Sequence, residues 1–346
     1  MSSDSTRLER IVCKRGGLVT KANNEVTSSN ADDEFESADD VIKRIFSDGA
    51  SSLGLQMSSM NDRSKTLDAT RYPRPSKTRF IAVANQKGGV GKTTSTVNVA
   101  AALAKAGARV LVIDMDPQGN ASTALGVPHG SGQPSVYDVI EGRKGIADIK
   151  LPCPDFPTLE VVPSSIDLSG AELELADLPH RNTLLKDALT VFLNGTGDHY
   201  DYVFFDCAPS LGLLVLNALC AAHEVMIPIQ AEYYALEGLG QLIHTIGLAQ
   251  STLNKHLVIS TILVTMYDRR TLLSKEVYDE VKEHYPTIVL ETTIPRSVRI
   301  SEAPSFGQTV IAYDPHGAGA VAYREAALEI AQRSEAALQL IQDTKK

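Results

Sequence analysis

Residues 85–94, which read NQKGGVGKTT, constrain this chain more than any other segment. They follow the apolar run 80–84 and precede a segment whose apolar residues recur at helical spacing, so the local order is strand, glycine-rich turn, helix. Glycines let the backbone turn tightly and bring its N–H groups against an anion, and the start of the helix adds its positive dipole end. The segment therefore predicts a phosphate-binding loop.

Such a loop also needs a lysine that neutralises the terminal phosphates and a hydroxyl that holds Mg²⁺. Lys92 and Thr93 supply these groups, and Lys87 adds a second lysine directly before the first glycine. An ordinary tight connection is the alternative interpretation, but it explains neither the two lysines nor the threonine pair. The nucleotide-binding residues predicted from the loop are Lys87, Gly88, Gly89, Val90, Gly91, Lys92, Thr93 and Thr94.

With its second lysine, the sequence KGGVGKTT resembles the phosphate loop of the ParA/MinD group of P-loop ATPases. The resemblance covers about Arg79 to Arg333 and implies ATP and Mg²⁺ as cofactors. It also implies that Lys87 reaches across a dimer to the partner's ATP, so that ATP joins two subunits. The predicted catalytic residues are Asp116, Lys87 and Lys92.

The length of 346 residues and the 43% share of hydrophobic residues allow one large α/β domain plus an extension. We predict a disordered, low-complexity N-terminal extension at 1–78 and a ParA-like ATPase domain at 79–346. Within the extension, residues 38–46 have helical apolar spacing and could form a transient helix or a docking peptide. The net charge of −9 argues against a basic coat for nucleic acid, but it leaves room for a local basic patch.

Beyond the loop, short apolar runs alternate with segments of helical spacing as far as residue 342. This alternation predicts an α/β P-loop NTPase fold, in which a mostly parallel twisted sheet carries helices on both faces. The predicted strands include 109–114, 159–163, 202–206, 224–229, 257–264 and 287–290. The polar first residues and the short apolar runs predict neither a signal peptide nor a membrane span. The four cysteines lack metal-binding spacing and fit reduced thiols in a cytoplasmic protein.

Acidic residues end two of the predicted strands. Asp206 closes the run 202–206, and an acid in that position beside a phosphate loop can hold Mg²⁺, although a strand-end acid is also common in plain turns. Asp114 and Asp116 flank one residue and share an orientation if their strand continues. In the family, the second acid of the motif D-x-D-P-Q-G-N orients the attacking water. Asp116 is that acid in this chain. The predicted metal-site residues are Thr93, Asp206 and Asp114.

Two arginine-rich segments indicate which branch of the ParA/MinD group the chain resembles. Residues 266–271 read MYDRRT, and residues 294–307 read IPRSVRISEAPSFG, which closely resembles a block of chromosomal ParA (Soj) proteins. On their own, arginines in an acidic domain suit phosphate recognition but are also common on a solvated surface. The resemblance implies DNA-phosphate contacts at Arg270 and Arg299, and the predicted DNA-binding residues are Arg270, Arg299, Arg269 and Arg296. We also assign Pro295 to the nucleotide site.

The resemblance implies an ATP-gated switch for DNA partition. An ATP-dependent homodimer binds non-specific double-stranded DNA, and slow hydrolysis, stimulated by a ParB-type centromere-binding protein, releases it. This function implies a cytoplasmic, nucleoid-associated protein without a membrane partner, and it leaves chromosome and plasmid both open as the cargo.

Three other classes share parts of the sequence pattern. A MinD-like membrane-associated ATPase needs a basic amphipathic C-terminal helix, whereas residues 325–335 are acidic on their polar face. An iron–sulfur reductase needs bridging cysteines, and only Cys207 lies near a predicted switch loop. A metabolic ATP-dependent ligase needs a small-molecule pocket, which the sequence does not reveal.

Overall fold

The computed structural model describes residues 52–175, 177–197, 199–210, 212–233 and 235–333. The strands are β1 (Arg79–Val83), β2 (Val110–Met115), β3 (Leu151–Pro152), β4 (Leu159–Val162), β5 (Tyr202–Cys207), β6 (Glu224–Gln230) and β7 (Val258–Thr265). They form one sheet in the order β3-β4-β2-β5-β1-β6-β7, parallel throughout except for the short edge pair β3–β4. The predicted mostly parallel sheet is confirmed, but the predicted strand 287–290 is only a single bridge from Val289 to Ile262 on β7.

Helices connect the parallel strands, as their crossovers require. The helices are α1 (Ser52–Ala69), α2 (Lys92–Lys105), α3 (Asn120–Ala124), α4 (Val136–Ile140), α5 (Ile146–Ile149), α6 (Ala171–Glu174), α7 (Leu184–Thr196), α8 (Leu213–Ala221), α9 (Ala235–Thr252), α10 (Leu272–His284), α11 (Val298–Glu302), α12 (Val310–Tyr313) and α13 (Ala318–Gln332). The sequence predicts a last helix that continues to residue 342, but 334–346 lie outside the described residues. Among the helices that are described, none combines the length and the apolar character needed to cross a bilayer.

The two faces of the sheet support separate hydrophobic clusters. Val203 and Phe205 of β5 belong to one cluster and Phe204 to the other, because alternate residues of a strand point to opposite faces. Residues of α2 and α13 cover one face, and residues of α7, α8 and α9 cover the other. Every residue of β5 is buried, as expected for a central strand with helices on both sides.

The carboxyl ends of β1, β2 and β5 meet at one edge of the sheet. Asp206 at the end of β5 is the register partner of Val83 on β1 and of Asp114 on β2. Because β1 leads directly into the glycine-rich loop, the loop and both aspartates come together where open α/β sheets bind their ligands.

The structure corrects the predicted disorder of residues 1–78 for the part from 52 onward, where α1 and the following segment pack against α13. Arg324 of α13 organises this contact. Its Nη2 atom lies 2.6 Å from Asp68 Oδ1, its Nη1 atom donates to Ser64 Oγ at 3.2 Å, and its backbone oxygen accepts the Tyr72 hydroxyl at 2.8 Å. Apolar spacing alone misses a helix that docks through polar groups. The proposed docking stretch at 38–46 lies outside the described residues.

A buried ion pair links two strands at the edge opposite the loop. Arg79 begins β1 and Glu224 begins β6, and the Nε and Nη2 atoms of Arg79 each donate to a Glu224 oxygen at 2.7 Å. The Nη1 atom of Arg79 also donates to the backbone oxygen of Ile330 at 2.6 Å. The pair therefore joins the centre of the sheet to the end of α13.

Replacing Arg79 should destabilise the fold strongly. Arg79→Met leaves the Glu224 carboxylate buried without a counter-ion, so the free energy of unfolding should fall by about 3–5 kcal/mol in urea titrations. Arg143→Met is the matched control, because the side chain of Arg143 is half exposed, although its partners Asp138 and Glu141 are less so. Its cost should be clearly smaller than that of Arg79→Met, because water reaches this pair. Equal destabilisation in the two variants would contradict a structural role for the buried pair.

Candidate nucleotide site and arginine surface

The loop after β1 turns through two glycines in the left-handed backbone region. Gly89 has a φ of +75° and Gly91 a φ of +87°, values that other residues rarely adopt. Gly91 caps α2, so the first N–H groups of that helix are directed at the loop. Thr265 at the end of β7 supports the loop, since its hydroxyl oxygen lies 2.8 Å from the carbonyl oxygen of Val90 and 3.0 Å from that of Ile229.

The Lys92 side chain lines the cleft above the loop. Its Nζ atom donates to the backbone oxygen of Lys87 at 3.3 Å. Burial lowers the pKa of this ammonium group, and the nearby carboxylates of Asp206 and Asp116 partly oppose the shift. A partly desolvated cation with few fixed partners is suited to bind a phosphate group.

Asp206 accepts hydrogen bonds from two threonine hydroxyls of α2. Thr93 Oγ1 lies 2.7 Å from Asp206 Oδ2, and Thr96 Oγ1 lies 2.8 Å from Asp206 Oδ1. Burial raises the pKa of Asp206, and the charge of neighbouring Asp114 raises it further. A divalent cation beside Thr93 would favour the charged carboxylate.

Asp114 is fully buried, and its oxygens contact the chain that follows β2. Its Oδ2 atom accepts hydrogen bonds from the Ser122 backbone N–H at 2.9 Å and hydroxyl at 2.7 Å, and its Oδ1 atom accepts the Asp116 N–H at 3.2 Å. Burial raises the pKa of Asp114 as well. Asp114 therefore acts on the predicted metal site through its charge beside Asp206, while its oxygens fix the backbone that carries Asp116.

Asp116 faces the same cleft as Lys92. Its Oδ1 atom accepts a hydrogen bond from the backbone N–H of Gln118 at 3.0 Å, which holds the side chain in the turn after β2. The cleft has a volume of about 530 Å³, within the range of small-molecule sites. Loop residues, the turn after β2, the segment after β5 and one residue after β7 line it: Gly88, Gly89, Gly91, Lys92, Thr93, Thr94, Asp116, Pro117, Gln118, Asn120, Ala208, Pro209, Ser210 and Met266.

The Thr93 hydroxyl, which lines the cleft, and the buried Asp206 carboxylate behind it fit a magnesium ion that is held together with a phosphate ligand. Within the described residues, no group of three or more His, Cys, Asp or Glu side chains could hold a metal ion. Mg²⁺ favours oxygen ligands, keeps several waters and binds through one or two protein groups plus phosphates. The Thr93 hydroxyl and the Asp206 carboxylate supply such groups next to the loop.

Lys87 lies outside the cleft of its own chain. Its Nζ atom forms an ion pair with Glu232 Oε2 at 2.9 Å, and both side chains are 44% exposed. Among the described residues, the lining of the cleft includes Lys92 but not Lys87. The two loop lysines therefore point to different surroundings.

A second cavity, of about 400 Å³, is lined in part by residues that follow β7. Met266 lines the cleft, and the next residue, Tyr267, lines this second cavity. Met266 has a left-handed φ of +52°, a conformation that is uncommon outside glycine and concentrated at functional sites. Pro295 lies in the second cavity, paired through the backbone with Tyr267, and not in the cleft beside the phosphate loop.

Three of the four arginines assigned to DNA come together at this second cavity. Arg269, Arg270 and Arg296 line it and are exposed to solvent. The Arg270 side chain is 89% exposed and pairs with Asp268 at 2.8 Å, and its hydrogen bonds lower the pKa of that carboxyl to about 2. Arg299 lies on α11 and is not part of the lining.

Arg299 has its own surroundings on the surface. Its Nη1 atom lies 3.3 Å from Glu302 Oε2, and its guanidinium group lies 5.8 Å from the centre of the Tyr313 ring. The structure therefore brings Arg269, Arg270 and Arg296 to one surface and keeps Arg299 on a separate element.

Comparisons with known proteins identify relatives of the chain. A family model for an AAA domain matches residues 78–259. The sporulation initiation inhibitor protein Soj of Bacillus subtilis is 47% identical over 253 residues, which are 73% of this chain and 98% of Soj. The chain belongs to the ParA/Soj family of partitioning ATPases. The chromosome partitioning protein ParA of Caulobacter vibrioides is 46% identical over 74% of this chain and 94% of that protein.

Solved structures extend the comparison to bound ligands. The cobyrinic acid a,c-diamide synthase of Mycobacterium smegmatis, solved with ADP and magnesium, is 38% identical and matches with a TM-score of 0.63 over 74% of this chain and 95% of its own. The septum site-determining protein MinD of Pyrococcus horikoshii, at 24% identity and a TM-score of 0.58, shares the fold. The ParA/Soj chain described here is a P-loop ATPase with the fold predicted from its sequence.

Sequence patterns missed three residues that shape the site. Thr96 lies one helical turn after Thr93, so helical spacing could have placed both hydroxyls on one face of α2. Ser122 and Glu232 give no such signal, because they reach Asp114 and Lys87 only through the folded chain.

Replacing the Asp206 carboxylate should remove the effect of magnesium on nucleotide binding. Asp206→Asn keeps the size of the side chain but removes the charge next to Thr93. Calorimetric titration with ATP should therefore give the same affinity with and without Mg²⁺, whereas the unmodified protein binds more tightly with Mg²⁺. Asp138→Asn, a carboxylate on α4, is the control and should keep the difference. Retention of the full magnesium effect in Asp206→Asn would exclude Asp206 from the metal site.

Proposed function

We propose that this chain is an ATP-gated DNA-binding switch for the partition of a chromosome or plasmid. The observation that carries the proposal is the contrast between the two loop lysines. Lys92 lines the nucleotide cleft, whereas Lys87 is exposed outside it. A lysine placed next to the loop but outside its own cleft is available to a second subunit.

ATP binds in the cleft above the loop. The N–H groups at the start of α2 and the Lys92 ammonium group bind its phosphates. The Thr93 hydroxyl and the neighbouring Asp206 carboxylate would hold Mg²⁺. When bound, the ion would neutralise part of the negative charge of the phosphates. The fit is supported by the oxygen donors that meet at the carboxyl edge of the sheet.

Asp116 orients the attacking water for hydrolysis. Phosphoryl transfer depends mainly on positioning and charge stabilisation, so a single well-held carboxylate is enough for this role. The hydrogen bond from Gln118 and the contact of the Asp116 backbone with Asp114 limit the movement of the group. Slow turnover suits a switch that must persist until a stimulating partner arrives.

Two subunits join when Lys87 of each chain contacts the nucleotide of the other. Lys87 must leave Glu232 to do so, and breaking an exposed pair of this kind costs less than about 1 kcal/mol. The dimer doubles the number of arginines that meet DNA. Each phosphate neutralised changes the slope of log affinity against log salt by about −0.9, so doubling the number of neutralised phosphates raises non-specific affinity steeply.

The DNA surface consists of Arg269, Arg270 and Arg296 together with Arg299. Their exposure supports contact with phosphates rather than a structural role, because arginine forks bind phosphate oxygens well. A ParB-type centromere-binding protein is the partner that stimulates hydrolysis and releases the DNA. The protein acts in the cytoplasm, in association with the nucleoid.

Replacing Lys87 should prevent dimerisation while the nucleotide still binds. Lys87→Ala removes the cross-subunit contact but leaves Lys92 in the cleft. In light scattering with a non-hydrolysable ATP analogue, the unmodified protein should have the mass of a dimer and the variant that of a monomer. Glu232→Ala is the matched control, since it breaks the same ion pair but keeps the lysine, and it should still dimerise. A dimer of normal lifetime in Lys87→Ala would refute the cross-subunit contact.

Reversing the charge of Arg270 should abolish ATP-dependent retention on non-specific DNA and leave ATP affinity unchanged. The measurement is a gel shift with ATP, ADP and no nucleotide across a salt series. Any binding that remains at low salt should have a slope of log affinity against log salt that is shallower by about 0.9 for each DNA phosphate no longer neutralised. Arg143→Glu makes the same charge change at another exposed arginine and should retain DNA binding. Unchanged retention in Arg270→Glu would remove this surface from the proposal.

A further inference from the structure

Helix α1 contributes two side chains to the second cavity. Met60 and Arg63 line it together with residues that follow β7 and residues of α13. The sequence pattern predicts disorder for this part of the chain, and nothing in the proposed function uses it. The cavity therefore has a wall that comes from outside the ATPase domain predicted at 79–346.

The second cavity combines apolar and cationic side chains, a mixture that suits a flat aromatic ring with polar edges. Pro295, Ala318, Ala322 and Met60 contribute apolar surface to its lining, and the arginines that also line it are exposed. Arg63, Arg269, Arg270 and Arg296 add guanidinium groups to the lining, and such groups stack on the faces of aromatic rings. A purine base packs well against proline and methionine side chains and can place its polar edge towards Thr293 or Asp268.

The position of the cavity matches this chemistry. Met266 lines the phosphate cleft, and its neighbour Tyr267 lines the second cavity, so consecutive residues of the chain line the two spaces. A nucleotide whose phosphates bind at the loop must extend its nucleoside into a neighbouring space. The cavity at the end of β7 is such a space, and it lies along the carboxyl edge of the sheet.

An ion pair holds α1 against this cavity. Arg63 forms two hydrogen bonds with the Glu325 carboxylate of α13, one from its Nε atom at 2.8 Å and one from its Nη2 atom. One residue further, Ser64 Oγ lies 3.2 Å from His316 Nδ1. A bidentate arginine–carboxylate pair fixes the direction of the side chain as well as the distance.

We propose that α1 is part of the nucleotide site: Met60 and Arg63 form the outer wall of the cavity that takes the nucleoside of bound ATP, and the Arg63–Glu325 pair holds this wall in place. The inference rests on the proposed binding of ATP at the loop. It assigns a binding role to a segment that precedes the first strand of the fold.

The test separates the nucleoside from the phosphates. Calorimetric titrations with ATPγS and with inorganic tripolyphosphate, both with Mg²⁺, are compared for the full chain and for the double variant Met60→Ala, Arg63→Ala. Binding of ATPγS should weaken about 10-fold, which corresponds to about 1.4 kcal/mol. Binding of tripolyphosphate should not change, because it contacts only the loop. Lys65→Ala alters an exposed residue of α1 and should leave both affinities unchanged.

Glu325→Ala provides an independent check, since Glu325 holds the wall without lining the cavity. It should weaken ATPγS in the same direction and spare tripolyphosphate. Equal weakening of both ligands in the double variant, or no change in either, would overturn the inference while the loop still binds phosphate. The double variant could instead bind ATPγS with unchanged affinity but be retained less on DNA at saturating ATPγS. That result would also overturn the inference, because α1 would then belong to the DNA surface. Failure of the unmodified protein to bind either ligand would refute the proposed function itself, and the inference with it.

Discussion

The meeting of two buried carboxylates and a lysine at one edge of the sheet is the constraint on which the rest of the site depends. Asp114 and Asp206 are register partners on neighbouring strands, so the fold forces two like charges together in a dry environment. Hydroxyl and backbone donors around them partly stabilise the charges, and Lys92 lies nearby as the only lysine in the cleft lining described. The sheet register, rather than any single side chain, therefore brings both carboxylates to the edge that carries the phosphate-binding loop.

The two lysines of the loop lie in different surroundings. The backbone after β1 turns through left-handed glycines, which lets Lys92 enter the cleft while Lys87 stays outside and pairs with Glu232. An exposed ion pair of this type is weak and easily exchanged. The chain thus keeps one lysine in its own cleft and holds the second at the surface in an ion pair that exchanges easily.

Much of the fold and of the loop could be predicted from the sequence, because glycine spacing and buried apolar runs are local signals. Asp206 and Asp116 were also predictable, since each lies at or just after the end of an apolar strand. The docking of α1 was not, because its contacts with α13 run through Arg63 and Arg324 and join residues more than two hundred positions apart. Pairing between distant polar groups leaves no periodic trace in the chain. For the same reason, the sequence could not show that Arg269, Arg270 and Arg296 line one cavity while Arg299 lies elsewhere.

Thr265 links the phosphate-binding loop to the segment that lines the second cavity. Its hydroxyl lies within hydrogen-bond distance of the carbonyl oxygens of Val90 in the loop and of Ile229 on β6. Three to five residues later, the same segment carries Asp268, Arg269 and Arg270. One hydroxyl and a few peptide bonds thus connect the loop to the segment that carries these arginines. Any movement of Val90 relative to Ile229 must lengthen or break one of the two contacts of that hydroxyl.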